Sequence, residues 1–260
     1  MYNGVLTLKL PRGVEIVGFA DDIVITVLGE TPEEVEMLVT EAIDRIENWM
    51  QGVKLQIAHH KTEVLLVNNC KVLQRAEITA GEHVIVSKRA LKQLGVMIDD
   101  RLNFNNHVDY ACERATKAIN ALSRNMPNNA GPCSSKRRLL ASVSSSILRY
   151  GGPVWATALE TQLNRAKLSS TFRLMAMRVA SVYRTVSSDA VCIIAGMIPI
   201  GIILVEDNEC YKRKGTRGIR KTMRADSMAK LQHDWDSSKK GSWTHRLIPV
   251  LSTWVNRRHG

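Results

Sequence analysis

The sequence predicts an α+β fold, strand-rich in its first part and helical in its second, and three observations predict it. β-Branched residues bracket a tight turn within residues 14–28. A well-capped amphipathic helix follows from Thr31. From Asn105 onward the apolar residues recur at helical spacing.

Val14, Ile16, Val17 and Phe19 precede Asp21-Asp22, and Ile23, Val24, Ile25 and Val27 follow it. Apolar residues on both pleat faces imply two short strands covered on both sides. Thr31-Pro32-Glu33-Glu34 then supplies an N-cap, a first-turn proline and an acid at the third position. Val35, Leu38, Val39, Ala42, Ile43, Ile46 and Trp49 form the buried stripe of that helix, and Gly52 is placed to end it. Further strands are expected over Glu63–Val67, Val84–Ser87 and Leu91–Ile98, closed by a turn at Asp99-Asp100-Arg101. Asn106 is placed to cap a helix lined by Val108, Ala111, Ala115, Ile119 and Leu122. Pro127–Ser135 has the composition of a linker, and helices are expected over Lys136–Tyr150 and Gln162–Val182. A domain boundary falls near residue 105. Beyond about Lys212 the chain turns basic and its structure is left open.

Charge is unevenly distributed. Residues 1–60 hold four Lys/Arg against ten Asp/Glu, and residues 211–260 hold thirteen Lys/Arg against three Asp. The net charge of +11 therefore sits mostly at one end. Such an end fits a polyanion, or else a solvated and partly disordered tail; charge alone weighs the two equally. Cys70, Cys112, Cys133, Cys192 and Cys210 are odd in number and widely spaced, so neither a disulfide framework nor a zinc site is expected, and a reducing compartment fits. No secretory signal is visible. The uncharged run Ala190–Val205 is short for a membrane span and broken by Gly196, Pro199 and Gly201, so a buried segment is expected.

The candidate chemistry lies at Asp21-Asp22. Adjacent carboxylates repel, and a lone Asp-Asp pair is most often an ordinary turn, as Asp99-Asp100 is expected to be. The strand-forming residues on both sides of Asp21-Asp22 set it apart. They hold two carboxylates at the rigid end of a sheet, where a divalent cation takes oxygen ligands. His59 and His60 are neighbours on an extended segment and point to opposite sides, which makes a poor joint metal site. Loop residues are expected there.

Gly18-Phe19-Ala20-Asp21-Asp22 resembles the aromatic-x-Asp-Asp box of reverse transcriptases, in the form common in non-LTR retrotransposons. Motifs follow in order. Leu55–Glu63, with Lys61-Thr62-Glu63 at its core, is similar to the next palm motif, and Leu94–Asp99 to the primer-grip strand. Leu102-Asn103-Phe104 and His107-Val108 continue it into the thumb. Tyr150-Gly151-Gly152-Pro153-Val154-Trp155, Tyr183–Ala190 and Ala195–Pro199 resemble downstream segments. Trp243–Pro249 with Trp254–Gly260 most resembles the type-1 elements that insert into arthropod ribosomal DNA.

The resemblance implies a partial polymerase palm over residues 1–104, including the primer-grip strand. A helical thumb and post-thumb region over 105–210 and a basic segment over 211–260 would follow. It implies an RNA-directed DNA polymerase that copies element RNA into DNA at a nicked chromosomal target. Two Mg2+ ions would be held with Asp21 and Asp22, and Lys61 would lie near the outgoing pyrophosphate. Without the motif, Lys61 would be taken for a solvated loop lysine. Leu94 and Gly95 would position the primer through the backbone. The implied partners are an RNA template, a DNA primer and target, and dNTPs, with no membrane. The implied setting is nuclear action after cytoplasmic synthesis, without secretion. Lys212, Arg213, Lys214, Arg217, Arg220, Lys221 and Arg224 are the candidate phosphate contacts. The family also carries a palm aspartate before the box, an endonuclease upstream and a Cys/His-rich segment downstream. None of residues 1–20 is an aspartate. The expectation is therefore a piece of a longer polyprotein, inactive alone; the alternative is a degenerate or co-opted remnant that only binds nucleic acid.

Overall fold

A computed structural model describes residues 3–68, 76–80, 83–128, 131–238, 240–255 and 257. The chain divides into two compact units, residues 1–93 with 98–102, and residues 94–97 with 103–260.

The first unit holds helix α1 (Asn3–Leu6), strands β1 (Val14–Phe19) and β2 (Asp22–Val27), and helix α2 (Pro32–Gly52). Strands β3 (Glu77–Ala80) and β4 (His83–Val86) follow. The strands pair as antiparallel hairpins, β1 with β2 and β3 with β4. Helix α2 starts as its sequence dictates: Thr31 Oγ1 accepts from the Glu34 amide at 3.2 Å, and Glu34 Oε2 accepts from the Glu30 amide at 2.8 Å. It runs through Gly52 and is capped at Val53, one residue beyond the expected end. Its buried stripe, with Ile43 at the centre, packs with Ile25, Val39, Val64, Ile78 and Ile85. The strand expected over Glu63–Val67 is reduced to one isolated parallel bridge, Leu65 to Lys88.

The segment expected as a single strand, Leu91–Ile98, is instead a hairpin of β5 (Ala90–Gln93) and β6 (Val96–Asp99). Leu94 (φ 47°) and Gly95 (φ 86°) reverse the chain between them. Left-handed φ at both central residues is the signature of a type I′ turn, which Gly at the second position favours. Asp99-Asp100 is a turn, in which Asp99 Oδ1 accepts from the Arg101 amide at 3.3 Å.

The second unit is helical: α3 (Asn105–Ser123), α4 (Ser134–Arg149), α5 (Gly152–Trp155), α6 (Gln162–Ala180), α7 (Ser188–Ala195), α8 (Ile200–Lys212), α9 (Ile219–Ser237), α10 (Ser242–Leu247) and α11 (Leu251–Val255). Phe104, in a left-handed conformation, occupies the cap position of α3 where Asn106 was expected, and Asn103 Oδ1 takes the Asn105 amide at 3.0 Å. Trp155, Leu148, Leu168, Phe172 and Met175 form the core shared by α3, α4, α5 and α6. A second core of Ile193, Ile203, Leu231, Trp235, Ile248 and Leu251 seats the basic C-terminal segment on α7 and α8. Ala190–Val205 is largely buried across α7 and α8, as its composition suggested. No single helix among the described residues is long and apolar enough to cross a membrane. Cys112, Cys133, Cys192 and Cys210 are free thiols, and Cys70 lies outside the described residues. Burial pushes the Cys192 thiol up to about 12.

Arg137 ties the helical unit together. Its side chain, only 4 % exposed, donates to Pro132 O at 2.8 Å, Met126 O at 3.2 Å, Arg178 O at 3.0 Å and Pro127 O. Both ends of the linker between α3 and α4, and the C-terminal turn of α6, are held by one planar donor group. Arg137→Ala strands these carbonyls, at about 1–3 kcal/mol for each that water does not reach. We expect a loss of about 3 kcal/mol or more, read as a lowered urea midpoint at unchanged m-value. Arg137→Lys should recover only part of it, since one ammonium cannot reach all four acceptors.

Candidate functional site

The Asp21-Asp22 turn is a two-residue hairpin. Phe19 pairs with Asp22, and Ala20 has a left-handed φ of 53°. Val17 pairs with Val24, so Val17, Phe19, Val24 and Asp22 share one sheet face by register. Ile16, Gly18, Ile23 and Ile25 share the other face, which turns toward α2. This corrects the expectation of strands covered on both sides. The outward face is open, with Val17 59 % and Phe19 64 % exposed, because the sheet has two strands among the described residues and α2 covers only one side. Both aspartates are exposed at the sheet's tip.

Two adjacent carboxylates suit Mg2+, which keeps waters and binds through one or two carboxylates plus phosphate oxygens. They do not make a closed cage: no group of three or more His, Cys, Asp or Glu able to hold a metal occurs among the described residues.

Lys61 ends a single 3-10 turn, His59–Lys61, and is exposed. His59 anchors this turn. Its Nε2 lies 3.0 Å from Glu47 Oε1 on α2, and its ring stacks on His83 of β4 at 5.5 Å between centroids. His59 thus has a positioning role that its sequence neighbourhood did not reveal.

The Leu94-Gly95 tip is built more firmly. The Tyr150 hydroxyl donates to Leu94 O at 2.8 Å. A Cβ on Gly95 would lie 2.9 Å from Tyr150 Cε1, and one on Gly151 (φ 63°) 2.9 Å from Val96 Cγ2. Tyr150 is itself held, since its carbonyl accepts from Nε1 of the buried Trp155 at 2.9 Å. On the other side, His107 Nδ1 accepts from the Met97 amide at 3.2 Å, and its ring sits 5.2 Å from that of Trp155. The Leu-Gly-Val and Tyr-Gly-x-x-Val-Trp segments therefore form one contact. Acceptance of an amide proton by Nδ1 fits a neutral ring, and burial pushes the His107 pKa down to about 4.

The seven basic residues are exposed along the end of α8, the following turn and the start of α9. They are not equivalent. Glu209 lies 3.3 Å from Lys212 and 3.5 Å from Arg213, and Glu206 lies 3.0 Å from Arg224. Lys214, Arg217, Arg220 and Lys221 make no ion pair within 4.0 Å among the described residues.

The chain is 25 % identical over 270 residues to a retrovirus-related Pol polyprotein of type-1 retrotransposable element R1 2 of Nasonia vitripennis, covering 98 % of this chain and 63 % of that protein. It is 24 % identical to a putative 115 kDa protein in element R1DM of Drosophila melanogaster, covering 95 % of this chain and 26 % of that protein. An R1 Pol polyprotein of Bradysia coprophila gives 24 % identity over 96 % of this chain and 27 % of its own length. Over most of its length the chain is thus similar to R1 retrotransposon Pol polyproteins of arthropods. It spans from about a quarter to under two thirds of the length of these R1 relatives. No family model and no solved structure matches it.

The His107 contact predicts a pH dependence. Its folded pKa of about 4 lies below the unfolded value near 6.5, so protonation favours the unfolded chain. The stability contributed by the neutral ring is complete above about pH 6.5 and falls progressively toward pH 4, by about 3 kcal/mol at most. Urea unfolding of wild type and His107→Gln across this window should show a stability difference that changes with pH. Parallel curves would mean that the ring is not held neutral by burial.

Proposed function

We propose that this chain is the portion of an RNA-directed DNA polymerase that carries the palm carboxylate turn and the primer-holding hairpin. The parent element would copy its RNA into DNA at a nicked chromosomal target, in the nucleus. The observation that carries this reading is the exposed Asp21-Asp22 hairpin tip, in a chain homologous over nearly all its length to R1 Pol polyproteins. Magnesium bound there would activate a primer hydroxyl and neutralise charge on the leaving pyrophosphate. The protein residues have simpler tasks. Asp21 and Asp22 supply carboxylate oxygens from a backbone fixed by strand pairing. Lys61 offers a cation to the pyrophosphate, from a turn anchored by His59. Leu94 and Gly95 present backbone to the primer from a tip fixed by Tyr150.

With two clustered carboxylates at this tip among the described residues, this chain alone would bind substrates without joining nucleotides. The exposed basic residues along α8 and α9 favour a second reading, a remnant that only binds nucleic acid through its cationic helices. Primer extension separates the two. In a complete polymerase rebuilt around this chain, Asp21→Asn should lower magnesium-dependent extension at least about a hundredfold, several kcal/mol of lost charge stabilisation. Template binding should stay within about twofold. Extension at the wild-type rate would end the metal role of Asp21.

The basic residues give a separate expectation for the chain by itself. Each phosphate contact steepens the fall of log affinity with log salt by about 0.9 on duplex and about 0.7 on single strands. Changing Lys214, Arg217, Arg220 and Lys221 to Gln should flatten the slope more than changing Lys212, Arg213 and Arg224, which already have carboxylate partners. An unchanged slope in the first set would show that these cations are merely solvated.

A further inference from the structure

The tail segment that begins at Trp243 is mostly explained by packing. Ile248 and Leu251 are buried with Trp235, and the Ile248 carbonyl accepts from Trp235 Nε1 at 2.9 Å. His245 Nε2 lies 3.0 Å from Asp236 Oδ1. The Gln232 side chain donates to Pro249 O and accepts from the Leu251 amide, both at 2.9 Å. Trp254 Nε1 donates to Ile193 O at 2.7 Å. Trp243, Arg246 and Leu247 stand outside these contacts. Trp243 is 76 % exposed, Leu247 is 81 % exposed, and the exposed Arg246 holds its guanidinium over the Trp243 ring, 4.9 Å from the centroid.

The surroundings suggest what such a pair could take. Just before Trp243 in the sequence, Lys240 lines a cleft of 540 Å3 whose walls also carry Arg173, Asp189 and the hydroxyls of Ser169, Ser170, Thr185 and Ser188. Residues 211–260 as a whole have thirteen Lys/Arg against three Asp. An open aromatic face with a stacked cation, in a cationic segment whose Lys240, three residues before Trp243, lines a cleft, matches a polymer of planar bases on a phosphate backbone. Bases in a duplex are stacked on each other and present no free face, so the match is to a single strand.

We propose that Trp243 and Arg246 form a stacking site for an unpaired base of a single-stranded polynucleotide, with Lys240 at the cleft taking a neighbouring phosphate. This rests on the reading of the chain as one that binds nucleic acid, and adds the strand state it selects and the residues that select it.

The test titrates the full chain against three labelled probes: a short oligo(dT), a DNA duplex of the same length, and heparin, a polyanion without bases. Stacking of one base contributes about 1–3 kcal/mol, so Trp243→Ala should weaken oligo(dT) binding roughly tenfold. Duplex and heparin binding should stay within about twofold, and Trp243→Phe should restore most of the loss. Photocrosslinking of a 4-thiothymidine oligonucleotide to the wild-type chain should map to residues 240–247. Oligo(dT) binding unchanged in Trp243→Ala overturns the site while leaving the nucleic-acid reading intact. So does an equal loss for all three probes, or crosslinks confined elsewhere. A dimer of the wild type that Trp243→Ala dissolves, with oligo(dT) binding retained, assigns the exposed Trp243 face to self-association and overturns the proposal too. A wild-type chain that binds none of the probes removes both readings.

Discussion

The contact between Leu94-Gly95 and Tyr150-Gly151 constrains the molecule most closely where its chemistry is proposed. Two left-handed residues in succession cost little at Gly95 and more at Leu94, where a side chain opposes that conformation. The turn persists because its surroundings fix it. The Tyr150 hydroxyl satisfies the Leu94 carbonyl, the Tyr150 ring fills the space that a Gly95 side chain would need, and His107 takes the Met97 amide. Residues 56 positions apart thus specify one backbone shape. A tip held this way can offer main-chain atoms to a ligand in a fixed position, which a lone exposed hairpin could not do.

Arg137 fixes the frame around that tip. A buried guanidinium with carbonyl partners suits its five donors in a plane, and the four carbonyls come from three places in the chain. Two of those places lie in the segment between α3 and α4, which has the composition of a free linker. The contact explains why it is not one. Composition reports which residues can tolerate irregular backbone, whereas tethering depends on a donor that arrives from a later helix.

How much was legible follows from the range of the forces involved. Helix α2 was readable almost to the residue, because a cap, a first-turn proline and a 3.6-residue stripe are all local. The β1–β2 hairpin was readable for the same reason, and the carboxylates with it. The open outer face of that hairpin was not, because alternation reports what a strand could bury and not whether a cover exists. Leu91–Ile98 read as a strand because Leu94 is a poor turn residue by propensity. Its conformation is imposed by Tyr150, far along the chain. The roles of His59 and His107 came only from partners on other elements.

The tail shows a different limit. Resemblance over Trp243–Pro249 and Trp254–Gly260 says that a set of residues belongs together, yet it cannot say which of them hold the fold and which meet something outside it. Burial separates the two. Ile248, Leu251 and Trp254 face the α7–α9 core at helical spacing, and their polar atoms are taken by Trp235, Gln232 and Ile193. Trp243, Arg246 and Leu247 project the other way from the same short stretch. A tryptophan on the surface forgoes the stabilisation of burial and adds an apolar patch to a cationic face, and neither helps the fold. With the inward residues accounted for by packing, the outward ones are those for which a ligand is the simplest physical explanation.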